Sequence, residues 1–375
     1  MRILLINCVC GIRSTGRICA DIAREYESKG YVARIAYGRM DDISEESRKW
    51  AVKIGNKFSL YLHFLLTRIF DLHGSGLCSY FATKKFLRWA DSYDPDVLWL
   101  HNFHGYFINY ELLFRWIKQR PKMRVKWTLH DCWPFTGHCS HFLYTGCQAW
   151  QIGCDCRCPG KGEFPKSMLF SKAAHNWKKK KAAFCGVRNM ELITPSKWLA
   201  DLTRQSFLRE YPVSVVHNTV DKSVFRRTDS DFKQKCGIDD KIMVLGVAST
   251  WDERKGYRDF LELRGFLSSA YVIVIVGVTP KQRSSLPVGI IGVECTNSAK
   301  ELASIYSAAD WFFNPTREDN YPTVNLEARA CGCRVVTYDT GGAAETISGY
   351  ENGWVLSGED RTPLAFASLV AGKSC

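Results

Sequence analysis

No window of the chain offers the roughly 18 consecutive uncharged apolar residues that a membrane-spanning helix needs. The greasiest stretch, Phe58 to Phe70, is broken by His63 and Arg68. The opening Met1-Arg2-Ile3-Leu4-Leu5-Ile6-Asn7 is too short and too polar at its flanks for the apolar core of a secretory signal, and it reads as a strand. A cytosolic protein is expected. Internal repeats and low-complexity tracts are missing as well. Acidic residues are in deficit, 38 Asp and Glu against 51 Lys and Arg, for a formal net charge of +13. That surplus favours an anionic partner (nucleic acid, acidic lipid or a phosphorylated small molecule) without choosing among them. With 46% hydrophobic and 24% charged residues, disorder and fibrous folds are excluded, and 375 residues suggest two domains.

Cysteine is not scarce. Most of the sixteen, such as Cys8, Cys19, Cys185 and Cys295, sit singly on apolar segments, where a reduced thiol packs as a small hydrophobe. A secreted disulfide framework does not fit so long a chain without a secretory signal. The cluster Cys139, Cys147, Cys154, Cys156 and Cys158 stands apart. Four of these, taken as Cys139, Cys147, Cys154 and Cys158, could hold a tetrahedral structural zinc in a loop that lacks its own core. The spacing is not the paired C-x-x-C form, so reduced packing thiols and redox-labile pairs stay open.

Apolar runs of four or five residues at Ile3–Ile6, Val32–Ala36, Val97–Leu100 and Val125–Leu129 have the length of buried parallel strands. Helical patterns separate them: Ser14 to Lys29, with Ile18, Ile22 and Tyr26 on one face and Gly30 as the stop, then Phe81–Ser92 and Tyr110–Gln119. The same alternation restarts with strands at Val213–Val216, Met243–Val247, Tyr271–Val276, Gly289–Ile291, Trp311–Phe313 and Arg334–Thr337, and helices at Lys255–Leu267, Ala299–Ser307 and Thr323–Cys331. The reading is α/β, with two Rossmann-like, doubly wound domains facing a cleft. They span residues 1–210, with a Cys-rich insertion at about 132–165, and residues 211–375.

Ligands of open parallel sheets bind beyond the carboxyl ends of the strands, and four places there carry polar residues. Gly11-Ile12-Arg13-Ser14-Thr15-Gly16 opens a helix whose free N–H groups suit an anion, although a plain capped turn explains it equally well and the spacing is not G-x-G-x-x-G. His130 closes a strand, with Asp131 beside it to set its tautomer and with His101 and His104 after a neighbouring strand. A structural histidine is the commoner reading of such a residue. Arg254-Lys255 in Trp251-Asp252-Glu253-Arg254-Lys255-Gly256 suits a diphosphate, or forms a solvated turn. The string Asn314-Pro315-Thr316-Arg317-Glu318-Asp319-Asn320-Tyr321-Pro322-Thr323-Val324-Asn325-Leu326-Glu327 sets acids in a loop and on the helix that Pro322 opens. Capping acids alone would not need the whole string; a nucleotide sugar would.

Together with His130-Asp131-Cys132-Trp133-Pro134-Phe135-Thr136-Gly137 and Thr194-Pro195-Ser196-Lys197-Trp198-Leu199, in this order, these motifs resemble the retaining GT-B glycosyltransferases of the large family often called group 4, specifically the bacterial enzymes of capsule, colanic acid and O-antigen synthesis. The resemblance covers nearly the whole chain. It implies an acceptor-binding first domain and a donor-binding second domain. Lys255, with Arg254, would neutralise the donor diphosphate, and Gly16 would lie beside it or the acceptor. Pro322, Thr323 and Val324 would bring the helix start to the diphosphate. Glu327 would bind the ribose, Asp319 or the adjacent Glu318 the transferred sugar, and His130 would stand near the reacting centre. Two departures from the pattern are Asp319 in place of the family's first glutamate and Ser249 in place of an arginine six residues before the lysine. The implied donor is a UDP-sugar, or a GDP-sugar, with no cofactor for catalysis. The implied acceptor is a polyprenyl-diphosphate-linked saccharide at the cytoplasmic face of the inner membrane. Contacts with that anionic surface would come from Phe58–Phe70 and from Trp177 with Lys178–Lys181, the lysine run otherwise being a solvated helix face. The alternatives are a nucleotide-sugar epimerase or hydrolase on the same fold and a nucleic-acid-binding protein. The latter is disfavoured because no DNA- or RNA-binding motif accompanies the charge. Only about twenty residues follow Trp354-Val355-Leu356, as in a shorter natural form or a truncated one.

Overall fold

The computed structural model describes residues 1–39, 43–155, 157–162 and 164–373; Cys156 lies outside the described residues. The chain divides into two compact units, Met1–Val216 and His217–Cys375.

The first unit is built on a seven-stranded parallel sheet of β1 (Arg2–Ile6), β2 (Val32–Tyr37), β3 (Ala51–Lys53), β4 (Val97–Leu100), β5 (Arg124–Thr128), β6 (Met190–Thr194) and β7 (Val213–Val215), in the order β3-β2-β1-β4-β5-β6-β7. Ile3, Leu4, Leu5 and Ile6 are wholly buried, as expected of a strand covered on both faces. The helix Arg13–Ser28 turns Gly16, Cys19, Ala20 and Ala23 inward. Ile18, Ile22 and Tyr26, expected as its buried face, flank that contact half-buried, because small residues let the helix axis approach the sheet. The helix Tyr110–Lys118 buries Leu113, Phe114, Trp116 and Ile117 and is capped by the Asn109 side chain, which accepts from the Leu112 N–H at 3.0 Å. Between β5 and the helix Ala173–Phe184 the described residues of the insertion form only 3₁₀ turns, at Trp133–Phe135, Leu143–Thr145, Ala149–Gln151 and Pro159–Gly162.

The expected boundary after residue 210 moves to Val216, because β7 pairs in parallel with β6 and so completes the first sheet. The lysine run also departs from a uniform solvated face. Lys180 is fully buried, its Nζ donating to the Trp133 and Thr136 carbonyls at 2.8 and 3.1 Å, while Lys179 pairs with Glu111 at 3.2 Å and Lys181 lies over the Trp177 ring. Successive helix positions lie about 100° apart, so the four lysines cannot meet one surface together. Cys295, expected to be packed, is exposed.

The second unit carries a six-stranded parallel sheet of β8 (Ile242–Val247), β9 (Tyr271–Val276), β10 (Ile290–Val293), β11 (Trp311–Asn314), β12 (Arg334–Tyr338) and β13 (Gly353–Leu356), in the order β10-β9-β8-β11-β12-β13. Helices Tyr257–Phe266 and Pro363–Gly372 pack on one face, with Phe260, Leu263 and Phe366 wholly buried. Helices Ala299–Ala308 and Thr323–Ala330 contribute Tyr306 and Ala328 to a separate core on the other. Among the described residues, no helix is long and apolar enough to cross a membrane.

Candidate active site

In the second sheet, β8 has β9 on one side and β11 on the other. The loops leaving β8 and β11 therefore run to opposite sides of a topological switch point, the place where open α/β sheets bind ligands. After β8 the chain turns through Trp251–Gly256, and the helix begins only at Tyr257, two residues later than the expected Lys255. Gly256, at φ +73°, makes this turn possible: a Cβ there would lie 2.4 Å from the Pro315 carbonyl oxygen, so only glycine lets the two loops touch. The Arg317 N–H donates to the Arg254 carbonyl at 2.7 Å, and the Arg254 guanidinium donates to the Glu318 carbonyl at 2.9 Å. Arg254 thus braces the acidic loop through its backbone.

Lys255 Nζ lies 2.5 Å from Asp319 Oδ2. The two side chains retain 21% and 19% exposure, so both can meet a solute, whereas Glu318 is fully buried. Asp319 is the accessible one of the two adjacent acids. Its backbone is fixed from the other side, the Gly342 N–H donating to its carbonyl at 2.9 Å, and its Oδ1 accepts from the Asn320 N–H at 2.9 Å.

Pro322 stands at the N-cap of the helix Thr323–Ala330, and its own side chain makes no capping hydrogen bond. The first-turn N–H groups of Thr323 and Val324, both half-buried, are the kind that bind anions. Asn325 anchors the helix: the Asn314 amide donates to its Oδ1 and its own amide donates to Thr346 Oγ1, both at 2.8 Å and both buried. Glu327, just over a turn into the helix, accepts from the Tyr306 hydroxyl at 3.1 Å, and burial together with this carboxylate holds that phenol well above its ordinary pKa. Sequence reasoning missed Tyr306 and Asn325, whose signal is only polarity on an otherwise apolar helix face. It also missed Asp259, which accepts from Tyr338 Oη at 2.8 Å and Arg317 Nη2 at 2.9 Å behind the loop.

The first sheet has its own switch point at β1, between β2 and β4. Here Asn7 Oδ1 accepts from the Asn102 N–H at 3.2 Å, tying the two loops. Gly16 lies in the first turn of its helix, where a Cβ would stand 3.0 Å from Val9 Cγ2 and 3.3 Å from the Gly11 nitrogen; it lets the β1 loop fold down on the helix. His130 follows β5, and its Nε2 is 3.0 Å from His101 Nδ1 with the rings stacked at 5.3 Å. Burial pushes His130 down to about 4, so it is neutral at pH 7. Asp131 does not set its tautomer as expected. Asp131 Oδ2 lies 2.8 Å from His104 Nε2 and its Oδ1 accepts from the Trp133 N–H, while His130 has His101 within hydrogen-bond distance.

Cys139, Cys147, Cys154 and Cys158 line one cavity of about 90 Å³. Among the described residues, the one trio of potential metal ligands with atoms within 4.8 Å of one another is instead Asp71, His73 and His138. There His73 Nε2 and His138 Nδ1 lie 2.5 and 2.8 Å from Asp71 Oδ1, while the Trp133 indole N–H donates to His73 Nδ1 at 3.2 Å. Both rings hydrogen-bond the carboxylate, forming a closed buried cluster.

Residues 240–371 match the family model described as glycosyl transferases group 1. Over 360 residues the chain is 21% identical to WcaC of Escherichia coli (strain K12), named for colanic acid biosynthesis, covering 92% of this chain and 85% of WcaC. It is 28% identical over 128 residues to the N,N'-diacetylbacillosaminyl-diphospho-undecaprenol alpha-1,3-N-acetylgalactosaminyltransferase of Campylobacter jejuni, covering 33% of this chain and 34% of that enzyme. Among solved structures, the sucrose-phosphate synthase of Thermosynechococcus elongatus superposes with a TM-score of 0.68 at 14% identity, over 100% of this chain and 90% of that one. HepE of Anabaena in complex with UDP superposes at 0.64 and 15%, over 99% and 89%. Two parallel sheets with this strand order, the basic turn joined to the acidic loop, and these matches lead to one assignment: residues 240–371 form a group 1 glycosyltransferase domain, in a chain of GT-B fold that is similar along its length to a glycosyltransferase of bacterial surface polysaccharide.

Proposed function

We propose that the protein is a retaining, metal-independent glycosyltransferase that moves a hexosyl unit from a nucleoside-diphosphate sugar to a polyprenyl-diphosphate-linked saccharide in the building of a bacterial surface polysaccharide. The observation that carries this reading is the Lys255–Asp319 pair in the loop that leads to the start of the helix Thr323–Ala330. A diphosphate entering there meets one ammonium and the first-turn N–H groups at once. Both strengthen as charge develops on the departing nucleoside diphosphate, which is what transition-state stabilisation requires. Lys255 would exchange Asp319 for phosphate oxygen and free that carboxylate for sugar hydroxyls, and Glu327, held by Tyr306, would take the ribose hydroxyls. With the leaving phosphate as base on the acceptor hydroxyl, retention needs no nucleophile from the protein. Neutral His130 would then act near the acceptor as a hydrogen-bond partner.

A UDP-sugar is favoured over a GDP-sugar because HepE, similar in fold, was crystallised with UDP. The lipid-linked acceptor is supported by the name of the Campylobacter relative, and the polysaccharide role by that of WcaC. The site of action is then the cytoplasmic face of the inner membrane, on an anionic surface, with no nucleic-acid partner.

A panel of nucleotide sugars tested for thermal stabilisation checks the site. A ligand present at about 100 times its Kd stabilises the fold by about 2.7 kcal/mol. A UDP-sugar is expected to raise the melting temperature by several degrees, and Lys255→Ala and Glu327→Ala, with circular dichroism unchanged, are each expected to abolish the shift. An unchanged shift in both variants rejects the assignment.

A further inference from the structure

We infer that Cys139, Cys147, Cys154 and Cys158 form a structural zinc site that ties down the insertion of the first unit. The four thiols come from four successive corners of a segment whose described residues between β5 and Ala173 form only 3₁₀ turns of three or four residues. Trp133, Phe135, Phe142 and Trp150 of this segment join the main core of the first unit, and Cys139, Cys147, Cys154 and Cys158 line one cavity of about 90 Å³ beside Phe142 and Trp150. The four are free of disulfides.

Two features favour a metal. The Gly137 N–H donates to Cys154 Sγ at 3.1 Å, the kind of backbone contact that favours a thiolate. Gly160 sits where a Cβ would come within 2.9 Å of Cys139 Cβ and 3.3 Å of its sulfur; only glycine lets the Pro159–Gly162 turn close over Cys139 with Cys158 beside it. One Zn²⁺ bound by these four residues would displace four thiol protons to solvent and leave a centre of net charge −2. The sulfurs have not closed on the cavity, and the ion would draw them to tetrahedral distances of about 2.3 Å from itself.

The test is elemental analysis of the full chain purified without added metal, followed by mercurial titration against a metallochromic dye. About one zinc per chain is expected, released as four thiols are modified. Cys147→Ser/Cys154→Ser should lower zinc to background while leaving the UDP-induced thermal shift intact. Should that variant fail to fold, cobalt(II) added to metal-free wild-type protein should give the strong visible bands of a tetrahedral thiolate complex. Substoichiometric zinc with no cobalt spectrum, stoichiometric iron in place of zinc, disulfides within the cluster by non-reducing mass spectrometry, or zinc that persists in the double variant would each overturn the site.

Discussion

Lys255 and Asp319 are far apart in sequence yet share a contact of 2.5 Å, and their partial exposure limits what that contact adds to stability, to about 1 kcal/mol or less. Its importance is placement: it holds a cation and an anion at a site where a charged ligand can take over either one. Asn325 is the opposite case. It is buried, and it satisfies both the Asn314 amide and the Thr346 hydroxyl. Asn325→Ala would leave the buried Asn314 amide without this partner, at about 1–3 kcal/mol, while the Thr346 hydroxyl keeps its bond to the Ala343 carbonyl. Urea denaturation is expected to show a lower midpoint with an unchanged slope, and weaker UDP stabilisation as the helix start loosens. A midpoint equal to wild type would mean that the relay does not hold the helix.

At the scale of elements, parallel strand order does most of the positioning. Because β8 lies between β9 and β11, the two loops that bear Lys255 and Asp319 leave neighbouring strands on either side of one crevice. In the first unit the helix Lys57–Phe70 begins with a reciprocal cap between Asn56 and Ser59, and it exposes Phe58 (74%) and Tyr61 (63%); Leu77 (72%) and Phe81 (80%) stand nearby. Phe58, Leu77 and Phe81 line an open groove of about 620 Å³, with Lys53 and Lys85 also on its walls. Exposed apolar residues flanked by lysines suit an anionic bilayer. Vesicles containing anionic lipid are expected to carry the protein in flotation, less so at high salt. Phe58→Glu/Phe81→Glu should stay behind while keeping its response to UDP. Flotation of that variant at the wild-type level would exclude this helix as the contact.

For the whole molecule, the two units are expected to differ in acid sensitivity. Burial lowers His63 and His73 to about 3 and His130 to about 4, and all three belong to the first unit. In the unfolded chain each would titrate near 6.5. Between that value and the folded one the unfolded state binds more protons, so the histidines' contribution is full above pH 6.5 and is lost as pH falls toward 4. Asp71, held below its ordinary range by His138 and His73 against the opposing effect of burial, adds to the loss in stronger acid. Calorimetry from pH 7 to pH 4.5 is expected to show a transition falling by many degrees and a second, raised by UDP, falling less. Two transitions that move together would contradict this division.

Apolar runs of four to six residues, alternating with helical patterns, were enough to read two parallel α/β units, since burial on both faces imposes that pattern wherever such a sheet occurs. The string from Asn314 to Glu327 was legible for a related reason: a loop, a proline and a helix must follow one another locally to present acids beside free N–H groups. Contacts between distant segments were not legible. Nothing local says that Asp131 turns to His104, that Glu318 is buried while Asp319 is open, that Lys180 leaves its lysine run for the interior, or that β7 joins the first sheet. Each is settled by which surfaces meet once the sheets are covered, and the cost of burying an unpartnered polar group then selects its partner. Residue order determined the kinds of element and the chemical groups at their ends; packing decided which side chains face one another.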